Sequence, residues 1–337
     1  MNKDQPPTSA DHGFAEIVQL IEAARHQAYQ AVNTTLIELY WQVGAYISGK
    51  LEAAEWGDGV VEQLARHLAM TQPGLKGFTR PNLFRMRQFY EAYRHDDIAA
   101  PLTRQLPWTH NLVVLTQSKQ AEEREFYLRL AAREKWSSRE LERQFKTALF
   151  ERTVVQPAKV SAVLRQSHPA ALNVFKDSYL VEFLGLPDEH SEADLHQGLV
   201  RLRDFLLELG RDFCFVGSEF PLQVGGRDFA IDLLFFHRGL NCLVAIELKV
   251  GRFEPEYLGK LGFYQEALDR DHRKAHENPA IGVLLCAGKD DEVVEYALSR
   301  SLSPALIAEY QTRLPDKKLL QAKLHEFYAL NASAGEQ

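Results

Sequence analysis

The sequence has few cysteines and no long apolar run. Its three cysteines, Cys214, Cys242 and Cys286, lie far apart, without a CxxC pair or a histidine at ligand spacing. We therefore expect buried, reduced thiols instead of a zinc site or disulfides. No apolar stretch reaches the roughly 20 residues that cross a bilayer, and the first residues lack the apolar segment of a signal peptide. The expected location is the cytoplasm, with no membrane partner.

An excess of positive charge is also missing. The chain has 46 acidic and 39 basic residues, a net charge of -7. Because affinity for phosphate comes from Lys and Arg, this balance disfavours a protein that coats nucleic acid nonspecifically. Any contact with nucleic acid must come from local basic patches. What is present is the composition of a folded protein, 45% hydrophobic and 25% charged, and a length of 337 residues that favours two domains.

The first part of the chain has a helical pattern from residue 14 to about residue 150. Apolar residues recur at spacings of three and four, as one buried helix face requires. A WGDG sequence at residues 56–59 interrupts the pattern, and a second helix is expected over residues 60–70. We predict an all-α domain at residues 14–155, after a disordered N-terminus at residues 1–13.

A third helix is predicted after Thr79, with Pro81 in its first turn. Arginines lie on one side of it and apolar residues on the other: Arg80, Arg85, Arg87 and Arg94 against Leu83, Met86 and Tyr90. A helix, a Gly-containing turn and a basic second helix are the outline of a helix-turn-helix. A solvated arginine face on a helical bundle gives the same pattern. The domain is therefore interpreted as binding either DNA, through Arg80, Arg85 and Arg87, or a partner.

The pattern changes after two more predicted helices, at residues 122–133 and 138–150. Residues 151–175 have mixed composition and are taken as the domain boundary. Beyond them the sequence predicts a helix ended by Gly210, three strands, a helix and a strand; the ranges are 199–209, 213–224, 228–236, 242–250, 256–268 and 281–287. The order α-β-β-β-α-β predicts an α/β domain at residues 175–330, so the whole chain is an α+β two-domain protein.

Charged residues stand inside two of these apolar strands. In CLVAIELKV, period-two alternation puts Glu247 and Lys249 on one face, and the opposite face is wholly apolar. In DFAIDLLFF, Asp232 is the only charge, and a lone buried carboxylate needs a partner or a metal. A hairpin centred between Gly239 and Leu240 would set Asp232 opposite Glu247. A register slip of one residue would turn Asp232 to the other face.

Two neighbouring carboxylates repel each other unless a cation lies between them. Mg²⁺ prefers oxygen ligands, takes few of them from protein and keeps waters for a substrate phosphate. Lys249 could position the attacking water and stabilise the phosphate as it gains charge. These residues therefore predict phosphodiester hydrolysis. The plain alternative is a structural ion pair of Lys249 with Asp232 or Glu247 at a sheet edge.

At this point the sequence resembles the PD-(D/E)xK nucleases, and among them the YhcG-like bacterial proteins. The resemblance rests on GGRDFAIDLLFFHRGLNCLVAIELKVGRFEPEYLGKLGFYQEALD and NPAIGVLLCAGKDDEVVEYAL, and extends to LIELYWQVGAYIS, WGDGVVEQLA and TRPNLFRMRQFYEAY in the helical part. It implies a restriction-endonuclease-like core that acts on DNA, duplex or branched, with Mg²⁺ or Mn²⁺.

The resemblance also implies residue roles. Asp232 matches the Asp of the PD element, with Ile231 where proline is expected, and Glu247 and Lys249 match the (D/E)xK element. The Leu248 carbonyl would be a backbone metal ligand. Gln265, on the following helix, matches a glutamine that similar nucleases place near the scissile phosphate.

Several weaker candidates surround this set. Glu208 could be the additional acid that some relatives use, and Glu219 lies in the first strand; both are also compatible with plain surface positions. The residues that could hold phosphate are Arg252, Lys260 and Tyr264.

We expect, then, a metal-dependent deoxyribonuclease. One active site cuts one strand, so double-strand cleavage would need a homodimer. Repair, recombination and defence against foreign DNA all fit. One rival hypothesis is a noncatalytic protein of a mobile-element or defence system, in which the fold binds DNA or docks partner proteins. Another is a helix-turn-helix regulator with a ligand-sensing C-terminal domain.

Overall fold

The computed structural model describes residues 9–53, 59–187, 189–200, 203–316, 318–322 and 324. The chain forms two compact units, Met1–Glu142 and Arg143–Gln337. The stretch that follows Arg143 thus belongs to the second unit, although the sequence suggested a boundary at residues 151–175. Within the described part, no helix combines the length and apolar character needed to span a membrane.

The described residues of the N-terminal unit are helical or lie in connections. Helix α1 begins at Ser9, ahead of the predicted start at Phe14; residues 1–8 and 54–58, which hold most of the predicted disordered N-terminus and of the WGDG break, lie outside the described part. The helices are α1 (Ser9–Glu52), α2 (Val60–Thr71), α3 (Arg80–Tyr93), α4 (Ala99–Thr103), α5 (Trp108–Gln117), α6 (Ala121–Glu134) and α7 (Ser138–Lys146), the last of which continues into the C-terminal unit from Arg143.

Helices α1 and α3 pack closely against each other. Leu83 and Met86 are fully buried, as predicted, and Tyr90 is half-buried with its ring 5.2 Å from that of Trp41. A Cβ atom at Gly44 would lie 2.2 Å from the Met86 carbonyl oxygen. Only glycine at this position allows the two backbones to come so near.

The helix-turn-helix outline is present, but without a tight turn. Helix α2 ends at Thr71 and α3 begins at Arg80, which leaves a connection of eight residues, 72–79. A helix-turn-helix uses roughly three or four residues there. Thr79 occupies the N-cap position with extended backbone and Pro81 lies in the first turn, but the Thr79 side chain makes no capping hydrogen bond.

The predicted helix at residues 138–150 is broken in two. Ser137 caps α7 by accepting a hydrogen bond from the Glu140 amide at 3.2 Å. Helix α7 ends at Lys146, Ala148 has a positive φ of 51°, and α8 (Leu149–Val155) follows. The left-handed residue turns the chain, which periodicity alone did not reveal.

The C-terminal unit is built on one six-stranded sheet. Its strands are β1 (Ser178–Leu180), β2 (Phe213–Val224), β3 (Arg227–His237), β4 (Cys242–Arg252), β5 (Asn278–Gly288) and β6 (Ala305–Gln311). The spatial order is β1-β6-β5-β4-β3-β2; β2, β3 and β4 pair antiparallel, and β4, β5, β6 and β1 pair parallel. The predicted α-β-β-β-α-β order is confirmed, and β1 and β6 are additions to it.

Helices cover both faces of the sheet. They are α9 (Ala162–Ser167), α10 (Glu192–Val200), α11 (Arg203–Leu209), α12 (Tyr257–Ala267) and α13 (Asp291–Ser299). Helix α11 and the last two residues of α10 fall within the helix predicted at residues 199–209, most of α10 precedes it, and residues 201–202 lie outside the described part. One apolar core lies under α10 and α11, and two others lie under α12 and α13.

The cysteines are free, and two of the three are buried. Cys242 and Cys286 lie in the sheet core as expected. The prediction was wrong for Cys214, which is exposed because it lies on the face of β2 opposite to the buried Phe213.

Candidate active site

Strand β4 has the two faces that its alternation predicted. Val244, Ile246 and Leu248 pack into the core beneath α10 and α11, and Leu243 and Ala245 pack toward α12. Strand β3 pairs with β4 from His237–Cys242 to Leu233–Ile246. Continued by one step, this register sets Asp232 opposite Glu247, so the hairpin is centred where the loop length suggested and has not slipped.

The pairing of β3 with β4 stops at this point and the strands fork. Asp232 Oδ2 accepts a hydrogen bond from the Leu248 amide at 2.7 Å, in place of a backbone carbonyl. Beyond the fork, β4 continues to pair with β5 on its other side, as far as Arg252–Gly288. The acidic residues therefore lie at an open edge in the middle of the sheet.

Glu247 is the most buried charged residue at the fork. Its residue is 1% exposed, and Oε1 accepts from Lys260 Nζ and lies 3.4 Å from Lys249 Nζ. Oε2 is buried and has no hydrogen-bond partner among the described residues. Burial and then the neighbouring Asp232 charge raise the pKa of Glu247, against the opposing effect of the two lysines. A metal cation would relieve both effects.

Lys249 lies among oxygen atoms. Its Nζ is 2.8 Å from the Leu248 carbonyl oxygen and 3.2 Å from Glu192 Oε1, and it lies over the Tyr257 ring. Only 17% of the side chain is exposed. The ammonium group thus supplies positive charge to the same oxygens that a metal ion would use.

Lys260 belongs to the site, although the sequence offered it only as a phosphate contact. Desolvation lowers its pKa, but the hydrogen bond to Glu247 and the charge of that carboxylate outweigh this, and the pKa is raised. It also lies over the Tyr264 ring at 5.3 Å. About half of the side chain is exposed, so Lys260 can reach both Glu247 and solvent.

Helix α10 contributes two residues that the sequence reasoning missed. Glu192 contacts Lys249, and His196 Nε2 donates to the Asp232 carbonyl oxygen at 3.1 Å. They are four residues apart and so share one helix face. The sequence did indicate this part of the helix, because Leu195 lies four residues before Leu199 and continues its apolar face by one turn toward the N-terminus. The predicted helix began at Leu199 and left this turn out.

The donor set fits a hard divalent cation. The fork offers the Asp232 carboxylate, the unpartnered Glu247 Oε2 and the Leu248 carbonyl, all of them oxygen. Among the described residues, no group of three or more His, Cys, Asp or Glu gathers as a metal cage. Mg²⁺ takes few protein ligands and completes its shell with water, so two carboxylates and one carbonyl suffice.

The structure does not bring Gln265 to this set. Its residue is 2% exposed, and its Nε2 donates to the carbonyls of Ala280 and Pro304 at 3.0 and 2.9 Å. A Cβ atom at Gly282 would lie 2.8 Å from Gln265 Oε1. The glutamine therefore packs on β5 and ties two chain segments together. The expectation of a contact with the scissile phosphate has no support in this geometry.

Glu208 and Glu219, the other two acids that the sequence offered as candidates, lie outside this metal-binding set. Glu208 is fully buried and binds Arg143 and Lys176, both at 3.1 Å. It is a structural ion-pair partner and not the additional acid of the site. Glu219 has a positive φ of 46° and falls opposite Asp232 in the β2–β3 register, but it is exposed and forms no metal-binding group with the pair.

The arginines of α3 are partly neutralised. Arg87 pairs with Glu91 at 3.0 Å, and Arg80 lies 3.9 Å from Glu62. Arg80 and Arg87 both lie over the Phe84 ring. Arg85 is exposed, as is Arg252 at the end of β4.

Comparisons with known proteins agree with this geometry. Residues 172–325 match the family described as YhcG PDDEXK nuclease domain, and residues 16–152 match the DUF1016 N-terminal domain. The chain is 34% identical to "Putative nuclease YhcG" of Escherichia coli (strain K12), over 91% of this chain and 92% of that one.

Solved structures give a weaker likeness. A repair endonuclease from Pyrococcus abyssi is 15% identical with a TM-score of 0.26, over 38% of this chain and 49% of that one. EndoMS in its apo form is 18% identical with a TM-score of 0.25, over 38% and 48%. The chain spans about half the length of these two structures, and such TM-scores carry no argument. The sequence matches are sufficient: the chain belongs to the YhcG family, which joins a DUF1016 N-terminal domain to a PDDEXK nuclease domain.

Proposed function

We propose that the chain is a Mg²⁺-dependent nuclease that hydrolyses phosphodiester bonds of DNA at the fork between β3 and β4. The observation that carries the proposal is the buried, unpartnered Oε2 of Glu247, on a carboxylate that interacts electrostatically with Asp232. A buried carboxylate oxygen without a partner is unfavourable unless it binds a ligand. Neither lysine that pairs with Glu247 contacts this oxygen, since both lie against Oε1.

Each residue at the fork then has a role. Asp232, Glu247 and the Leu248 carbonyl would hold Mg²⁺ or Mn²⁺, which supplies an activated water and offsets phosphate charge. The Leu248 amide fixes the Asp232 carboxylate. Lys249 and Lys260 direct ammonium N–H groups toward the phosphate oxygens as they gain charge.

The substrate and assembly follow from the same reasoning. The resemblance to PD-(D/E)xK nucleases favours DNA, and the exposed arginines Arg80 and Arg85 are proposed to contact its backbone. One fork cuts one strand, so a double-strand break takes two chains. We place the activity in DNA repair, recombination or defence against foreign DNA, where partner proteins could dock on the N-terminal unit.

The test is a cleavage assay on supercoiled, linear, branched and single-stranded DNA and on RNA, with Mg²⁺, Mn²⁺ or EDTA. Asp232→Asn and Glu247→Gln should each lower the cleavage rate at least about 1000-fold, since about 4 kcal/mol of transition-state stabilisation is lost. EDTA should abolish cleavage by the wild type.

Asp228→Asn is the matched control, because Asp228 lies on the same strand and is exposed, and its Oδ1 accepts a hydrogen bond from Gln223 at 3.3 Å. It should cleave like the wild type. A purified wild type that binds DNA and cuts no substrate with either metal would refute the proposal and favour the noncatalytic alternative.

A further inference from the structure

The first part of helix α1 carries a row of exposed apolar side chains. Between residues 17 and 32, the large apolar residues are 53% to 69% exposed; they are Ile17, Val18, Leu20, Ile21, Tyr29 and Val32. Leu36 and Leu39 continue the row at lower exposure. Single exposed apolar residues are ordinary on a protein surface, whereas a continuous row of this length marks an interaction surface.

Apart from Leu20, these residues lie on one stripe of the helix or directly beside it. Positions 18, 21, 25, 28, 32, 35 and 39 alternate between steps of three and four, the spacing of a coiled-coil seam. Five of the seven are apolar: Val18, Ile21, Ala28, Val32 and Leu39. The stripe differs from the face of α1 that packs into its own unit, where Ile37, Tyr40 and Ile47 are buried. Helix α1 therefore has two apolar faces, and its fold accounts for one of them.

The same stretch has little charge. Among the 23 residues from Ile17 to Leu39, only Glu22, Arg25 and Glu38 are charged, about half the share found in the whole chain. Helices that face water on all sides are normally rich in charged residues. Glu38 is also paired with Arg104. The stripe is therefore poorly suited to remain in water.

The stretch is also exposed on all sides. Every described side chain from Ile17 to Val32 is exposed, over a helix length of about 24 Å. Further along, Asn33 donates to the Leu106 carbonyl at 3.1 Å and Thr34 to the Arg104 carbonyl at 3.3 Å. A helical segment of this length without packing is marginal in water, so it gains from a partner that buries the stripe.

We propose that the stripe on α1, residues 17–39, is a self-association surface on which a second copy of this chain packs its own α1. The large residues of the stripe expose on the order of 700 Å² in each copy, close to the roughly 800 Å² that each partner gives to a stable interface. A heptad stripe is complementary to itself, and Glu22 and Arg25 bring no excess charge of one sign that would keep two copies apart.

The experiment is sedimentation velocity on the full-length chain over nanomolar to high micromolar concentration. The wild type should have twice the mass of one chain. The double variant Ile21→Glu, Val32→Glu should have the mass of one chain, with a dissociation constant raised at least about 100-fold. Both residues are exposed, so the variant should keep the far-ultraviolet circular dichroism of helices α2 to α13 and of the β-sheet.

The matched control is Gln19→Glu, Gln27→Glu, which adds the same charge to the opposite side of the same stretch of α1. It should associate like the wild type. The inference is overturned if the wild type has the mass of one chain at every concentration, if the Ile21, Val32 variant still pairs, or if the control loses pairing to the same degree. None of these readouts depends on nuclease activity.

Discussion

Of the three glutamates of the C-terminal unit that are almost completely buried, Glu208 and Glu247 have different surroundings. Both oxygens of Glu208 have partners: Oε1 accepts from Lys176 and the Leu180 amide, and Oε2 accepts from Arg143. Glu247 uses Oε1 alone, toward Lys260 and Lys249, and its Oε2 has no partner among the described residues. Burial does not distinguish the two residues, whereas the number of satisfied oxygens does.

The pKa values of the two glutamates also shift in opposite directions. Burial would raise the pKa of Glu208, but the charges of Lys176, Arg152 and Arg143 outweigh it and hold the pKa below its usual range. At Glu247 burial and the Asp232 charge prevail, and the pKa is raised. A carboxylate whose two oxygens both have partners holds segments of the fold together. A carboxylate with an unpartnered oxygen beside a second acid is available to bind a cation.

The largest expected effect is on stability, at Glu208. Glu208→Gln leaves Arg143, Arg152 and Lys176 without their buried counter-charge, and should destabilise the C-terminal unit by about 3–5 kcal/mol. The tryptophans all lie before residue 143, so their fluorescence does not report on this unit. Hydrogen exchange of β4 and β5 peptides against urea concentration measures it.

The control for this change is Glu309→Gln, in a half-buried residue on β6 that accepts from Gln311 at 3.3 Å. The substitution should lower the free energy of unfolding by less than about 1 kcal/mol, the usual effect of losing one partly exposed hydrogen bond. If both variants lowered the free energy of unfolding equally, the buried ion pairs of Glu208 would stabilise the unit no more than the single contact of Glu309.

The next effect is the response of Glu247 to metal. At a Mg²⁺ concentration of 100 times Kd, the wild-type C-terminal unit should gain about 2.7 kcal/mol of stability. Glu247→Gln should gain none, and without metal it should stay within about 1 kcal/mol of the wild type, since its lysine partners are partly exposed. Hydrogen exchange of β4 peptides with and without Mg²⁺ measures both. A variant that responds to Mg²⁺ like the wild type would remove Glu247 from the metal site.

The sequence predicted the geometry of the fork between β3 and β4 well because its determinants are local. Alternation within CLVAIELKV decided the faces of Glu247 and Lys249, and the loop of the hairpin decided the register opposite Asp232. Both depend on residues only a few positions apart. The Mg²⁺ hypothesis needed nothing more than this pairing of acids.

The residues that were misjudged depend on distant contacts. Glu208 is bound by Arg143, 65 positions away, and by Lys176, 32 positions away. Gln265 is held by Pro304, 39 positions away. No periodicity in one sequence reveals such partners. Strand β6 was missed because a seven-residue run such as ALIAEYQ fits a strand or a buried helix equally well.

A smaller effect concerns pH. Because the folded pKa of Glu208 is lowered, its contribution to stability is present above the unfolded value of about 4.3 and is lost as pH falls through the folded pKa. The stability difference between wild type and Glu208→Gln should therefore be constant near neutrality and shrink in acid, by at most about 1.4 kcal/mol per pH unit. Hydrogen exchange of β5 peptides between pH 7 and pH 3, corrected for intrinsic rates, measures it. A difference that grows in acid would show that Glu208 is not held ionised.

The smallest expected effect concerns helix α10, and it tests whether this helix belongs to the site at the fork between β3 and β4. Glu192 lies 3.2 Å from Lys249 Nζ and is about half exposed, so Glu192→Gln should change stability by less than about 0.5 kcal/mol. It should lower kcat about fivefold with KM unchanged, since the lysine loses a charge that positions it and about 1 kcal/mol is added to the barrier. Asp194→Asn, on the same helix and bonded to Ser191 instead, should leave kcat unaltered. If both variants lose activity equally, α10 acts through its fold alone; if only Glu192→Gln does, the site extends from the two strands to this helix.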